Sequence, residues 1–358
     1  VKMAPVIQQL KTEPGVESVV CVTAQHRQML DQVLDLFGIM PDYDLNLMTP
    51  GQTLAGLTAK VFTHLDPVME AVDPDWVLVQ GDTTTVMAAS LLAYYHKIFI
   101  GHVEAGLRTG DKFQPFPEEI NRRISGVVAD LHFAPTEWSR QNLLRENVPE
   151  SNIIVTGNPV IDALNWVVKQ PFDFSSLDIQ RGSDHSKFIL VTAHRRENFG
   201  KPLEEVCQAI QTLAEDLQGE VHFVYPVHLN PNVQKAAKKI LSGVSNVTLT
   251  PPLDYLPLVN LMKHSYLVLT DSGGIQEEAT GLGIPTLVLR RRTERPEGVE
   301  AGTLKLVGTD KDVIISETKK LIQDRSYYAS MANAVNPFGD GFASRRIVDG
   351  LLAYKRHG

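Results

Sequence analysis

The stretch Tyr266-Leu267-Val268-Leu269-Thr270-Asp271-Ser272-Gly273-Gly274-Ile275-Gln276-Glu277-Glu278-Ala279 decides how this chain is read. Tyr266 to Leu269 is an apolar strand, and the pattern turns helical after Gly274, so Ser272-Gly273-Gly274 is predicted to be a strand-to-helix turn. Two residues without side chains leave the first amide N–H groups of that helix open at the positive end of its macrodipole, which makes the turn a cradle for phosphate. Glu278, one helical turn further in, is a carboxylate suited to accept from sugar hydroxyls. The plainer reading is a glycine-bearing turn with a solvated Glu277-Glu278 pair. The G-x-G-x-x-G spacing of a dinucleotide fold is absent from this turn.

Outward from that turn, short apolar runs alternate with helical patterns. Strands are expected at Val19 to Val22, Trp76 to Val79, Ile98 to Ile100, Leu131 to Ala134, Ile153 to Val155, Phe188 to Val191, Val221 to Tyr225, Val247 to Leu249 and Thr286 to Leu289. Helices are expected at Arg27 to Phe37, with Met29, Leu30, Val33 and Phe37 on one face, and at Leu54 to Val72, Thr84 to Tyr95, Trp138 to Arg145, Ile161 to Val168, Leu203 to Leu217 and Val233 to Leu241. Such alternation means parallel sheets covered on both faces. It breaks once, over Lys169 to Ser186, where Gln170-Pro171, Ser175-Ser176 and Gly182-Ser183-Asp184 read as a linker. The expected fold is therefore α/β, with two Rossmann-like parallel-sheet domains at 1–168 and 187–335, joined by 169–186. Residues 336–358 add a last helix near Arg345 to Tyr354, with the first domain as one destination. The chain opens on a helix already under way, with Met3, Ile7 and Leu10 at helical spacing, so a strand and loop are expected ahead of it.

Composition narrows the partners. At 358 residues the chain exceeds what one core usually organises. No apolar run approaches the roughly 20 residues of a membrane helix. A formal charge of −8 argues against nucleic acid as a partner, while leaving room for a local basic pocket. Cys21 and Cys207 lie far apart inside apolar patterns, which gives no disulfide framework and fits a reducing cytoplasm. The absence of His-x-x-x-His or Cys-x-x-Cys spacing leaves no zinc expected.

In open parallel sheets ligands bind beyond the carboxyl ends of the strands. That filter selects Asp82, Glu104, His194, His228 and the Ser272 turn, and implies a cleft between the domains. Each has a bland alternative. Asp82, before a helix, reads first as an N-cap. Glu118 and Glu119 after Pro117 make an ordinary helix start, with Arg122 and Arg123 as surface pairs. Glu104 resists a cap reading because a glycine-bearing loop follows it. His194-Arg195-Arg196, between strand and helix, suits a diphosphate. Arg290-Arg291-Arg292 reads as further positive charge or as solvated rim. Together these groups suggest acid-base chemistry on a nucleotide-linked compound.

The residues also carry a resemblance. Gly81-Asp82-Thr83-Thr84-Thr85, Gly101-His102-Val103-Glu104-Ala105-Gly106-Leu107-Arg108-Thr109, Pro117-Glu118-Glu119-Ile120-Asn121-Arg122, His194-Arg195-Arg196-Glu197, Asp271 to Glu278 and Thr293-Glu294-Arg295-Pro296-Glu297 resemble, in order, the bacterial non-hydrolysing UDP-N-acetylglucosamine 2-epimerases. The likeness runs from Lys2 to Arg346. It implies a glycosyltransferase-B-like pair of Rossmann domains, a homodimer in the cytoplasm, a UDP-sugar substrate and no cofactor. By motif position it implies Asp82, Glu104, Glu118 and His194 as catalytic residues, and Lys2, Arg195, Ser272, Gly273, Gly274 and Glu278 as substrate-binding. Gln25, Gln28 and His228 match positions of a regulatory UDP-GlcNAc site. Departures accompany it: Leu258 stands where phenylalanine is common, Arg291-Arg292 replace a frequent Asp-Thr, and Gly51 replaces an arginine. Thr83 separates the chain from hydrolysing relatives, which carry arginine there. A glycosyltransferase of the same fold and a non-catalytic UDP-sugar sensor are the other readings.

Overall fold

The computed structural model describes residues 1–358 except 24–26, 50, 178, 180–186 and 355–358. Two units divide the chain: Val1–Ala163 with Gly339–Gly358, and Leu164–Phe338. The division falls within a helix, upstream of the polar stretch 169–186.

The first unit runs α1 (Met3–Thr12), β1 (Cys21–Val22), α2 (Arg27–Phe37), β2 (Tyr43–Asp44), α3 (Leu54–Val72), β3 (Trp76–Gln80), α4 (Thr84–Tyr95), β4 (Phe99–Val103), α5 (Glu118–Val128), β5 (Leu131–Ala134), α6 (Glu137–Arg145), β6 (Ile153–Val155) and α7 (Pro159–Val167), whose last residues pass into the second unit. The strands β3-β4-β5-β6 form a parallel sheet, beside a separate parallel pair β1-β2. Successive side chains of a strand point to opposite faces. On β3, Val77 and Val79 accordingly join Leu57, Val61 and Leu65 of α3 and Val86 and Leu92 of α4. Trp76 and Leu78 join the opposite cluster, around Val6 and Phe133. Each fully buried branched side chain contributes roughly 1.5–3 kcal/mol.

The second unit contains β7 (Lys187–Thr192), α8 (Lys201–Asp216), β8 (Val221–Pro226), α9 (Pro231–Leu241), β9 (Val247–Thr250), α10 (Tyr255–Lys263), β10 (Leu267–Thr270), α11 (Gly273–Gly281), β11 (Thr286–Val288), α12 (Pro296–Glu300), β12 (Leu304–Leu306), α13 (Lys311–Gln323) and α14 (Arg325–Ala332). Its strands are all parallel, in the order β9-β8-β7-β10-β11-β12. Counted from β7 this is the 3-2-1-4-5-6 order of a Rossmann sheet, whose direction of winding reverses between β7 and β10. Alternation covers both faces again. Ile189, Val191, Leu267 and Leu269 face α8 and α13, whereas Leu190 and Val268 face Ile275 and Ala279 of α11.

The terminal helix α15 (Ala343–Ala353) belongs to the first unit. Ile347 and Leu351 enter the cluster that holds Val6 of α1. Asp162 of α7 caps its start, accepting from the backbone N–H of Ala343 at 3.1 Å and of Ser344 at 2.8 Å, and from the Ser344 hydroxyl.

Three expectations need correction. Val19 to Val22 is not a buried strand: only Cys21 and Val22 pair with a neighbour, and Val19 is exposed. A two-residue ladder at the margin leaves little sheet to cover it. Met29 is exposed as well, so the apolar stripe of α2 is only partly used. The polar stretch after Lys169 is not bare linker throughout, because Phe174 and Leu177 form a 3-10 turn packed on the second unit's core.

Candidate active site

In the second unit the turn after β10 and the loop after β7 meet where the winding reverses. The hydroxyl of Thr192 donates to that of Thr270 at 2.6 Å, and the N–H of Asp271 donates to the Thr192 carbonyl at 3.0 Å. Asp271 is fully buried. Its carboxylate accepts from the backbone N–H of His194 at 2.9 Å and of Arg195 at 2.8 Å, and from the Asn198 side chain at 3.1 Å. A carboxylate with three donors holds the His194-Arg195 loop against the Ser272 turn. Asp271 stands inside the quoted motif without a role in the sequence reading. Its place directly after the strand is the one signal there.

Ser272 is the N-cap of α11, and its hydroxyl makes no capping hydrogen bond to the first turn. The helix thus starts with Gly273 and Gly274 and its first amides open to an anion. A Cβ on Gly274 would meet nothing within 4 Å. Glu278 is buried and accepts from the Tyr255 hydroxyl at 2.8 Å. Burial, together with Glu278, pushes the Tyr255 phenol well above its usual range, so it stays a donor. The His194 ring stacks on His228, with centroids 5.3 Å apart and planes at 12°. Burial lowers the affinity of His194 for a second proton, and His228 and Arg195 add to this against the pull of Asp271.

In the first unit the residues after β3 and β4 form a carboxylate group. Glu104 is 8% exposed and has a left-handed backbone, with φ of 64°. Its oxygens accept from the Lys2 ammonium at 2.7 and 2.6 Å, and Oε2 accepts from the Gln80 amide at 2.6 Å. Asp82 is not the cap of α4: the Thr83 hydroxyl fills that role, accepting from the N–H of Val86 at 3.3 Å. The Asp82 carboxylate is bound instead by the Arg122 guanidinium. Its backbone is held on both sides, since His102 Nε2 donates to the Gly81 carbonyl at 2.8 Å and Asn121 donates to the Asp82 carbonyl at 3.0 Å.

The first turn of α5 supplies the rest. Glu118 Oε2 is buried and has no hydrogen-bond partner among the described residues. Glu119 is fully buried and accepts from the N–H groups of Thr109 at 3.2 Å and Gly110 at 3.3 Å, and from Arg122 at 3.3 Å. The expected surface pair of Arg122 is therefore a buried bridge between Glu119 and Asp82. A charge left alone there would cost several kcal/mol, roughly 3–5 on removal of one partner. Arg290, read as possible rim, is likewise buried, bonded to Glu197 at 2.7 Å and Glu294 at 3.1 Å.

Residues 8–352 match the family model described as UDP-N-acetylglucosamine 2-epimerase. The chain belongs to the UDP-N-acetylglucosamine 2-epimerase family. A relative of that name from Escherichia coli O157:H7 is 54% identical over 357 residues, covering 98% of this chain and 95% of the relative. Another, from Bacillus subtilis, is 54% identical over 352 residues, with coverage of 98% and 92%. The crystal structure of UDP-GlcNAc 2-epimerase from Neisseria meningitidis bound to UDP-GlcNAc superposes with a TM-score of 0.91 at 50% identity, covering 99% of this chain and 96% of that one. A kitacinnamycin glycotransferase shares the fold alone, with a TM-score of 0.61 at 12% identity, over 98% of this chain and 92% of that one.

Of the family positions named from sequence, Lys2, Asp82, Glu104 and Glu118 fall in the first unit, and His194, Arg195, His228, Ser272, Gly273, Gly274 and Glu278 in the second. Lys2 bonds Glu104, and Arg195 and the Ser272 turn share Asp271. Gln25 and the side chain of Gln28 lie outside the described residues.

Proposed function

We propose that this enzyme interconverts UDP-N-acetylglucosamine and UDP-N-acetylmannosamine by anti elimination and re-addition of UDP. C2 of the sugar has no neighbouring carbonyl, so direct loss of its proton leads to no stabilised carbanion. Departure of UDP changes this. The C1–O bond breaks with its electron pair leaving on the diphosphate, oxocarbenium character develops at C1, and a carboxylate takes the C2 proton. The product is 2-acetamidoglucal with free UDP. Return of a proton to the opposite face of C2, with addition of UDP oxygen at C1, completes the inversion. Nothing is oxidised.

Asp82, Glu104 and Glu118 are assigned to proton transfer, because two faces of one carbon need more than one acid-base group. The open amides of Ser272-Gly273-Gly274, with Arg195 and His194, are assigned to the leaving diphosphate, where negative charge develops. Glu278 is assigned to the ribose hydroxyls, and Lys2 to the charge balance of Glu104 and the diphosphate. The observation that carries the reading is the set of three carboxylates with three different surroundings: Glu104 beside Lys2, Asp82 beside Arg122, and Glu118 with a buried oxygen that has no hydrogen-bond partner among the described residues. Supply of ManNAc to surface polysaccharide, a homodimeric assembly and a cytoplasmic location complete the proposal, supported by the family likeness. Among the described residues no helix is long and apolar enough to cross a membrane.

Turnover in heavy water tests it. The product should acquire deuterium at C2 without added NAD, and UDP-ManNAc should form instead of free ManNAc. Inversion with full retention of the original hydrogen would sink the mechanism, and accumulation of free ManNAc would make the enzyme a hydrolysing one.

A further inference from the structure

We infer that the cavity between α5, α6 and the loop after β4 is a second ligand site, built for an anion of the phosphate class that carries a flat ring. It is separate from the reaction proposed above and does not rest on it. The periodicity of α6 prepares the site, because Trp138, Asn142 and Arg145 stand four and three residues apart and so share one face of the helix. With Arg123 of α5 and Thr109 and Gly110 of the loop, that face bounds a cavity of about 350 Å³. Space of this size holds a small organic ligand. Three guanidiniums line it, those of Arg108, Arg123 and Arg145, against the one carboxylate of Glu146. Positive charge is thus gathered here in a chain whose formal charge is −8.

The three arginines are not equally free. Arg108 is spent: its side chain is 7% exposed, its Nε and Nη2 donate to the Glu146 carboxylate at 2.8 and 2.7 Å, and its Nη1 donates to the Leu107 carbonyl at 2.8 Å. Burial opposes the charge of Glu146, yet Arg108 and then Arg123 hold its carboxyl below the ordinary range. Arg123 Nε stops 3.7 Å from Glu119 and 3.8 Å from Glu146, beyond hydrogen-bond reach of either. Arg145 donates one bond, from Nη1 to Asn142 Oδ1 at 3.3 Å, and among the described residues no carboxylate lies within ion-pair reach of it. The Trp138 indole is half-buried, and its N–H likewise has no protein partner among the described residues. Two guanidiniums and an indole therefore bring unspent donors to one concavity. The plainer reading of Arg145 is a cation that the helix dipole favours in the last turn of α6. That reading accounts for Arg145 alone, and gives no reason for Trp138 beside it or for Arg123 across the cavity. A phosphate group can take both guanidinium forks, and the indole offers a face to a ring attached to that phosphate. The mouth stays clear, since a Cβ on Gly110 would meet nothing within 4 Å.

Phenyl phosphate, inorganic phosphate and phenol are the probes, titrated by calorimetry at low salt into protein already saturated with UDP, so that the Ser272 turn is filled. Phenyl phosphate should bind at a single site, inorganic phosphate more weakly, and phenol without detectable heat. Arg145→Ala should weaken phenyl phosphate about ten-fold or more, the loss expected for a charge-assisted contact. Arg140→Ala is the control, because Arg140 lies on the same helix, pairs with Glu137 and Glu150, and stands outside the cavity. It removes the same charge and should change the affinity by less than about two-fold, as a distant surface charge does. Trp138→Ala should weaken phenyl phosphate about three-fold and leave inorganic phosphate unchanged, since only the ring meets the indole. Absence of phenyl phosphate binding would overturn the inference, and so would its disappearance once UDP is added, which would place the anion at the Ser272 turn. Equal losses in Arg140→Ala and Arg145→Ala would reduce the site to general surface charge. Equal losses of the two phosphates in Trp138→Ala would overturn the ring's place on the indole. A protein that fails to bind UDP would refute the cradle reading alone, because the cavity variants still decide this one.

Discussion

Replacing Glu104 by glutamine keeps the shape of the side chain and removes its charge. The carboxylate now accepts two bonds from Lys2 and one from Gln80, all at 2.7 Å or less, with the Glu104 and Lys2 side chains 6% and 18% exposed. Glutamine retains one acceptor oxygen and turns an NH2 toward a donor. Loss of hydrogen bonds to a charged group costs about 1.5–3 kcal/mol. The melting temperature should therefore fall by several degrees while the protein stays folded. Loss of a proton-transfer group should lower kcat by about 100-fold or more, which corresponds to roughly 2.7 kcal/mol in the barrier. Gln80→Leu is the matching control, because it removes one bond from the same carboxylate without neutralising it. Its kcat should stay within about ten-fold of the parent if the proton acceptor is what matters. The assay follows UDP-GlcNAc by proton NMR in heavy water, reading deuterium at C2 and inversion together. A Glu104→Gln enzyme within ten-fold of the parent would refute the assignment, and so would a Gln80→Leu enzyme that loses as much.

On the ribose role proposed for Glu278, Glu278→Ala should raise KM about ten-fold with kcat little changed, as for any contact equal in ground and transition states; a dominant fall in kcat would contradict this. Gly106→Ala should destabilise by on the order of 3 kcal/mol, since its φ is 90° and a Cβ would lie 2.2 Å from the Ser139 carbonyl oxygen. Gly110→Ala, at φ of 79° in open space, should cost only the backbone strain, and thermal melts of both distinguish clash from conformation. The pH dependence of stability should reveal the buried histidines of β4 and β5. Burial lowers His102 from 6.5 to about 4 and His132 from 6.5 to about 3. The unfolded chain binds these protons first, so the stability held by the neutral rings is complete above 6.5 and is lost as the pH falls from there toward 4 and 3. His132→Phe removes one contribution, and its loss between pH 7 and pH 5 in denaturant titrations should be about 2 kcal/mol smaller than the parent's. Parallel curves for parent and variant would show that His132 is protonated in the fold.

What the sequence determines by itself here is whatever depends on neighbours a few residues away. The helices Leu54–Val72 and Thr84–Tyr95 are legible because the apolar residues that mark them are close neighbours in the chain, although the sequence points to Asp82 as the cap of the second and the structure gives that role to Thr83. The strand, glycine turn and helix from Leu267 to Gly281 are legible for the same reason, and with them the open amides of the cradle. The charged and polar Lys311–Gln323 and the short Leu304–Leu306 give weaker local patterns, and do not stand out in the sequence. Tertiary structure alone decides which partner each charge takes. Arg122 lies three residues from Glu119 and forty from Asp82, and the periodicity of α5 cannot tell a surface pair from a buried bridge to another strand end. Lys2 and Glu104 stand 102 residues apart, and Arg295 reaches Gly273 across a strand and its loop. Local pattern sets the backbone through short-range sterics and hydrogen bonds. The ionic partners are set by chain crossings between distant segments, where burial makes an unpartnered charge too costly to leave.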